Sequence, residues 1–143
     1  MRARTAATLL AIAALLLVTG CGDDDSGDSA QTGSTPDFEI TGTWAGKLVQ
    51  EGLPDFRVRA TVASLADGEQ NTVHYTGIDC SGHWTYEGMD GSAYTFREDI
   101  DEGKGGTCKE EGTVSLTPFG PDGVDYSFKG GGVESVGVLK RQG

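Results

Sequence analysis

The sequence predicts an all-β protein: an eight-stranded antiparallel meander that closes into a barrel, with a β-sandwich as the alternative. Three observations predict it. From Phe38 onward apolar residues recur at a spacing of two, not the 3.6 of a helix. Breaks rich in glycine, aspartate and proline return about every ten to twelve residues, the rhythm of short strands joined by tight links. Each segment between breaks is apolar on one face only, so the sheet must curl or pack on a second one.

The strands are read as Ile40–Gln50, Phe56–Leu65, Thr72–Ile78, Gly82–Gly88, Ala93–Ile100, Gly112–Phe119, Val124–Lys129 and Glu134–Lys140. Gly52, Pro54 and Asp55 end the first, and Asp67-Gly68 ends the second. Asp90-Gly91 separates the fourth from the fifth. Lys104-Gly105-Gly106, Gly120-Pro121-Asp122-Gly123 and Gly130-Gly131-Gly132 supply the later breaks. Asp-Gly and Gly-Gly reach the positive φ that tight hairpins require.

One face carries Trp44, Leu48, Phe56, Val58, Val62, Val73, Tyr75, Trp84, Tyr86, Tyr94, Phe96, Val114, Leu116, Val124, Tyr126 and Phe128. The opposite face carries Lys47, Arg57, Arg59, Glu87, Arg97, Asp125 and Lys129. Closing eight such strands removes unpaired edges and leaves an interior wide enough for side chains or one small ligand. The aromatic residues therefore have two readings: an ordinary core, or a partly hollow lining for an apolar or planar ligand.

The first residues have a different character. Arg2 and Arg4 precede an apolar run from Ala6 to Val18 interrupted only by Thr8. Thirteen residues rise roughly 20 Å as a helix, short of the roughly 30 Å hydrocarbon core, so the run reads as a secretory signal. Val18-Thr19-Gly20-Cys21 resembles the lipobox of bacterial lipoproteins. The resemblance implies cleavage after Gly20, lipidation of the Cys21 thiol, and a location on the extracytoplasmic face of the cell membrane. Two or more acyl chains, at about 0.8 kcal/mol per buried methylene, anchor stably. Residues 1–20 are then the signal, 21–37 a lipidated acidic tether, and 38–143 the barrel domain. Between Gly22 and Asp37 only Ala30 is apolar, which suits a flexible spacer. Asp23-Asp24-Asp25 lacks the sixth-place glycine and distal glutamate of a calcium loop.

All 22 acidic residues and all basic residues except Arg2 and Arg4 follow Gly20, so the processed chain carries about −13 against −11 for the whole. Such a surface argues against nucleic acid and anionic headgroups as partners. With Cys21 lipidated, Cys80 and Cys108 remain in an oxidising compartment. A disulfide between them closes a loop of about 28 residues, worth roughly 3–4 kcal/mol in the chain-entropy model. A metal–thiolate pair or two free thiols are the alternatives, and neither a Cys-x-x-Cys spacing nor a nearby histidine pair favours them.

Two further resemblances rest on named residues. Gly42-Thr43-Trp44 on the first strand is similar to the Gly-x-Trp opening of lipocalin-like and avidin-like barrels, which implies that Trp44 plugs a closed end. A wider pattern runs through Gly42-Thr43-Trp44-Ala45-Gly46, Tyr75, Cys80-Ser81-Gly82 and Tyr94-Thr95-Phe96-Arg97-Glu98 to Cys108, Gly112-Thr113-Val114-Ser115-Leu116, Tyr126 and Gly137-Val138-Leu139-Lys140. It resembles a small extracytoplasmic domain of actinobacterial lipoproteins and of some receptor-type serine/threonine kinases. That resemblance implies fold and location, and through the kinase association a sensory or binding module; it carries over no activity.

The chemistry is sparse. There is no Gly-x-Ser-x-Gly, and Gly103-Lys104-Gly105-Gly106 lacks the helix a phosphate loop needs. His74 and His83 fall on adjacent strands with Glu87 or Asp79 as a third ligand, a weak metal pattern; no metal and no cofactor is expected. Counting alternately from Tyr94 and Phe96 turns Glu98 toward the apolar face, where it accepts hydrogen bonds near the mouth, orients a ligand, or ends the strand in water. Asp79, in register with Tyr75, is the one conceivable second inward acid for a paired-carboxylate hydrolase. The expected function is a membrane-anchored small-molecule binding or sensing barrel, with Trp44, Tyr75, Trp84, Tyr86, Phe96 and Glu98 as candidate ligand-lining residues. The alternative is an interaction module such as a protease inhibitor or a domain that binds an envelope protein. An enzyme is disfavoured.

Overall fold

A computed structural model describes residues 37–143; the expected signal, the expected lipidation site Cys21 and nearly all of the expected tether lie outside them. The strands are β1 (Gly42–Gln50), β2 (Phe56–Val62), β3 (Gln70–Thr76), β4 (Cys80–Asp90), β5 (Ala93–Glu102), β6 (Glu111–Phe119), β7 (Gly123–Gly130) and β8 (Val133–Gln142). Each pairs antiparallel with the next, and β8 returns to β1 over the register Thr43↔Gln142 to Gln50↔Ser135. The result is a closed barrel, so the sandwich alternative is excluded. Closure gives every strand two neighbours, and no ladder is left for another chain to extend.

Two differences from the sequence reading have local causes. β2 stops at Val62, not Leu65, because the Ala63 and Ser64 amides donate to Asn71 Oδ1, at 2.7 and 3.0 Å, instead of to a strand. Asn71 Nδ2 donates in turn to the carbonyls of Ser64 and Trp84. All the polar capacity of this buried amide is thus spent pinning the β2–β3 connection. β3 stops at Thr76 and not at Ile78, because Gly77–Asp79 forms a turn in which Asp79 has φ 53°. An aspartate tolerates that left-handed conformation better than most side chains. The turn puts Asp79 in solvent, so the expected second inward acid is absent from the interior.

The period-two alternation buries one side of every strand, from Trp44 and Leu48 on β1 round to Leu139 on β8. Register shifts in the β4–β5 ladder leave Glu87 and Asp101 unpaired, both on the outside. At one end the segment before β1 seals the barrel. Ile40 plugs it, and its carbonyl accepts the Trp44 indole N–H at 2.8 Å. Phe38 stacks on Trp44 with ring centroids 5.7 Å apart, and the Arg141 guanidinium lies 4.4 Å from the Trp44 ring. Arg141 also donates to the carbonyls of Thr41 and Glu39, fastening the end of β8 to this plug.

At the other end lies the longest connection, residues 103–110 between β5 and β6. The Cys80–Cys108 disulfide ties it to the start of β4, with the Cα atoms 6.4 Å apart. Gly103, at φ 83°, is where the chain must pass close: a Cβ there would sit 2.6 Å from the Asp79 carbonyl oxygen and 3.1 Å from Cys80 Sγ. Only glycine combines that φ with that approach.

Candidate functional site

The disulfide-tied end opens onto a buried polar network separate from that of Asn71. Glu98, on β5, is 3% exposed. Its inward direction follows from the alternation of Phe96, Glu98 and Ile100, all buried. The Trp84 indole N–H donates to Glu98 Oε2 at 2.7 Å, and the Tyr75 hydroxyl donates to the same oxygen. The Tyr75 and Tyr126 hydroxyl oxygens are 3.0 Å apart. With Tyr75 donating to the carboxylate, Tyr126 is the donor in that pair. Three strands besides β5 thus converge on one carboxyl group: β3 with Tyr75, β4 with Trp84 and β7 with Tyr126.

Both bonds fall on Oε2. No described residue bonds Oε1, yet among the described residues no buried side-chain oxygen or nitrogen is both enclosed and unpartnered. Oε1 therefore faces open space. That space is a cavity of about 20 Å³, about the room one water needs. Glu98, Tyr75 and Tyr126 form its polar floor, and Phe56, Ile78, Ile100 and Phe128 are apolar walls. Gln50 and Ser135 stand at the rim, where the serine hydroxyl donates to Gln50 Oε1 at 2.6 Å. Thr107, Cys108 and Lys109 bring the disulfide-tied loop across the opening. Gly112 gives the Phe128 ring its seat, since a Cβ there would lie 2.2 Å from Phe128 Cε2.

Burial sets the electrostatics. Desolvation raises the Glu98 pKa above the usual carboxylate range, although the bonds from Tyr75 and Trp84 pull the other way by stabilising the anion. Asp99, next on the strand, adds a small further push upward. Tyr75 and Tyr126 are held well above ordinary phenols, first by burial and then by neighbouring negative charge. Both remain neutral hydrogen-bonding groups across the accessible pH range. A carboxyl group of this kind, with one oxygen committed and one available, can accept a proton or a hydrogen bond from whatever enters.

Of the six residues expected to line a cavity, Tyr75 and Glu98 border this one. Trp44, Trp84, Tyr86 and Phe96 do not. Trp44 is consumed by the closed-end plug. Trp84 and Phe96 are fully buried and pack at 5.7 Å in the core, and the half-buried Tyr86 lies 5.4 Å from Phe96. Trp84 acts indirectly, through its bond to Glu98. Among the described residues the interior is thus packed around Trp84 and Phe96 and concave at the disulfide-tied mouth. Sequence reasoning missed Gln50 and Ser135, which alternation places on the same faces as Leu48 and Leu139, and it missed Thr107 and Lys109, which lie on a connection without alternation.

His74 and His83 lie on adjacent strands, with Thr72 opposite His83. His83 Nδ1 lies 3.0 Å from Asp101 and its Nε2 3.7 Å from Asp99, while His74 pairs across the sheet with Ser81. Among the described residues no group of three or more His, Cys, Asp or Glu side chains is arranged to hold a metal.

No family model and no curated protein matches the chain. Among solved structures, a de novo designed fluorescence-activating β-barrel is similar in fold, with 18% sequence identity and a TM-score of 0.53. The match covers 72% of this chain and 94% of that one. At this identity the likeness concerns the fold.

Proposed function

We propose that this protein is a lipid-anchored extracytoplasmic barrel that binds a small molecule at its mouth. One observation carries the reading: a buried carboxyl group, Glu98, is fixed by Tyr75 and Trp84 through one oxygen while its other oxygen faces the cavity. The oxygen that is not enclosed leaves an acceptor free for an incoming donor on an otherwise buried carboxyl group. The aromatic and aliphatic walls, the few convergent polar groups and the perturbed carboxyl are the usual marks of a ligand site. The packed middle of the barrel limits what is inserted to a small head group, with the rest of the ligand lying at the rim. The anchor rests on the lipobox pattern at Cys21, and the extracytoplasmic location agrees with the Cys80–Cys108 disulfide.

The test has two arms. Replacing Cys21→Ser is expected to move the protein from the membrane to the soluble fraction and to remove the mass of the lipid. A set of fragment-sized compounds, followed by amide chemical shifts, is expected to perturb residues around Glu98, Phe128 and Lys109. A set that shifts nothing there refutes the binding reading.

A second reading, an interaction module, has its own observation. Val49, Val136 and Val138 form a half-exposed apolar strip on the outer face where β1 meets β8. Capture of a specific envelope protein that is lost on Val136→Glu and retained on Glu98→Gln favours it.

A further inference from the structure

Resting on the binding reading above, we infer that the mouth takes a primary ammonium group, the charged end of a short-chain amine, seated against Glu98 Oε1. Size, bonding capacity and charge each narrow the ligand to this class.

The cavity holds about 20 Å³ of usable space. An ammonium head is close to a water molecule in size and fits where one water would; a quaternary ammonium or a branched group does not. The floor offers acceptors, not donors. The Tyr75 proton is spent on Glu98, the Tyr126 proton on Tyr75, and the Trp84 N–H on Glu98 Oε2. What remains turned to the cavity is a carboxylate oxygen, which a group with several N–H donors completes and a carboxylate or carbonyl ligand does not.

Charge points the same way. No lysine or arginine among the described residues pairs with Glu98. Lys109 stands at the rim with its stem packed beside Gly131, and it forms no ion pair with Glu98. The network therefore holds a carboxylate without a counter-ion, in a setting where burial disfavours its charge. A ligand that brings the missing positive charge gains most from being desolvated there. Phe56, Tyr75, Tyr126 and Phe128 surround the position with aromatic rings, which attract cations further. The chain's net charge of −11 raises the local concentration of cationic ligands. An alkyl chain behind the head would leave between the apolar side chains of Phe56 and Phe128.

The test is a titration of the purified protein near neutral pH with n-butylammonium, tetramethylammonium, 1-butanol and butyrate at matched ionic strength. The Trp84 indole N–H resonance and calorimetry serve as readouts. Butylammonium is expected to shift the Trp84 indole saturably and to bind at least about tenfold more tightly than the other three. Glu98→Gln, with its thermal midpoint checked, is expected to lose about tenfold or more of that affinity. Equal binding of butanol overturns the charge assignment while leaving a neutral-ligand site standing. Preference for butyrate overturns it in favour of Lys109 acting with a protonated Glu98. Tetramethylammonium binding as tightly as butylammonium overturns the size argument, and silence from all four, with none from a wider fragment set, removes the binding reading as well. The four-probe comparison runs on the unaltered protein, so it decides the matter even where the variant folds poorly.

Discussion

Truncating Glu98 to alanine orphans two buried donors, the Trp84 indole N–H and the Tyr75 hydroxyl. Each unsatisfied donor costs about 1–3 kcal/mol, and relief from burying a carboxyl offsets part of the sum, so Glu98→Ala is expected to lose about 2–4 kcal/mol. For a domain of this size that corresponds to a fall of roughly 10–20 °C in the thermal midpoint. Glu98→Gln keeps an acceptor oxygen for both donors and is expected to change stability by less than about 1 kcal/mol near neutral pH. Burial raises the folded-state pKa of Glu98. The stabilisation linked to this group is therefore complete below its unfolded pKa and is lost as pH rises through the folded value. The groups around it are Tyr75, Tyr126, Asp99 and, at the rim, Lys109. Both tyrosines stay neutral over that window. Glu98→Gln is thus expected to gain on the parent protein as pH rises above the unfolded carboxylate range. Urea unfolding followed by the fluorescence of Trp44 and Trp84, repeated across pH, measures all of this. A loss under about 1 kcal/mol for the alanine variant, or a pH-independent difference for glutamine, refutes the network as described.

Further perturbations read other parts of the barrel. Replacing both Cys80 and Cys108 with serine is expected to cost about 3–4 kcal/mol for the 28-residue separation and to increase hydrogen exchange across residues 103–110; urea midpoints and exchange rates check it. Asn71→Ala strands the Ala63 and Ser64 amides and the Trp84 carbonyl, with an expected loss of about 2–4 kcal/mol by the same unfolding assay. Gly112→Ala drives a methyl into the Phe128 ring and the Lys129 carbonyl, and is expected to cost about 1–3 kcal/mol and to shift the mouth resonances while leaving those of the Trp44 plug unchanged.

Alternation alone made the barrel legible. Each inward position from Trp44 to Phe128 could be counted from a neighbour two residues away, and Glu98 was found by the same count from Tyr94 and Phe96. The count failed where the chain turned without changing its pattern: Ile78 continues the alternation of Val73 and Tyr75, which hid the Gly77–Asp79 turn and kept Asp79 on the wrong side. Asn71 was unreadable because a polar side chain on an inward face has no signature until its partners are known. Whether the barrel was hollow could not be read either, since that depends on how Trp84, Phe96 and Tyr86 share one volume across the barrel. The rim residues Thr107 and Lys109 reach the site only because the disulfide folds their loop back onto it.

The role of Glu98 is tested most directly by its own titration. Carboxyl carbon NMR of the Glu98 side chain is expected to give a pKa above that of ordinary glutamates in the free protein, and a lower one with saturating n-butylammonium. An unraised pKa, or one that does not move when the amine is added, contradicts the assignment of the mouth as a cation-accepting site.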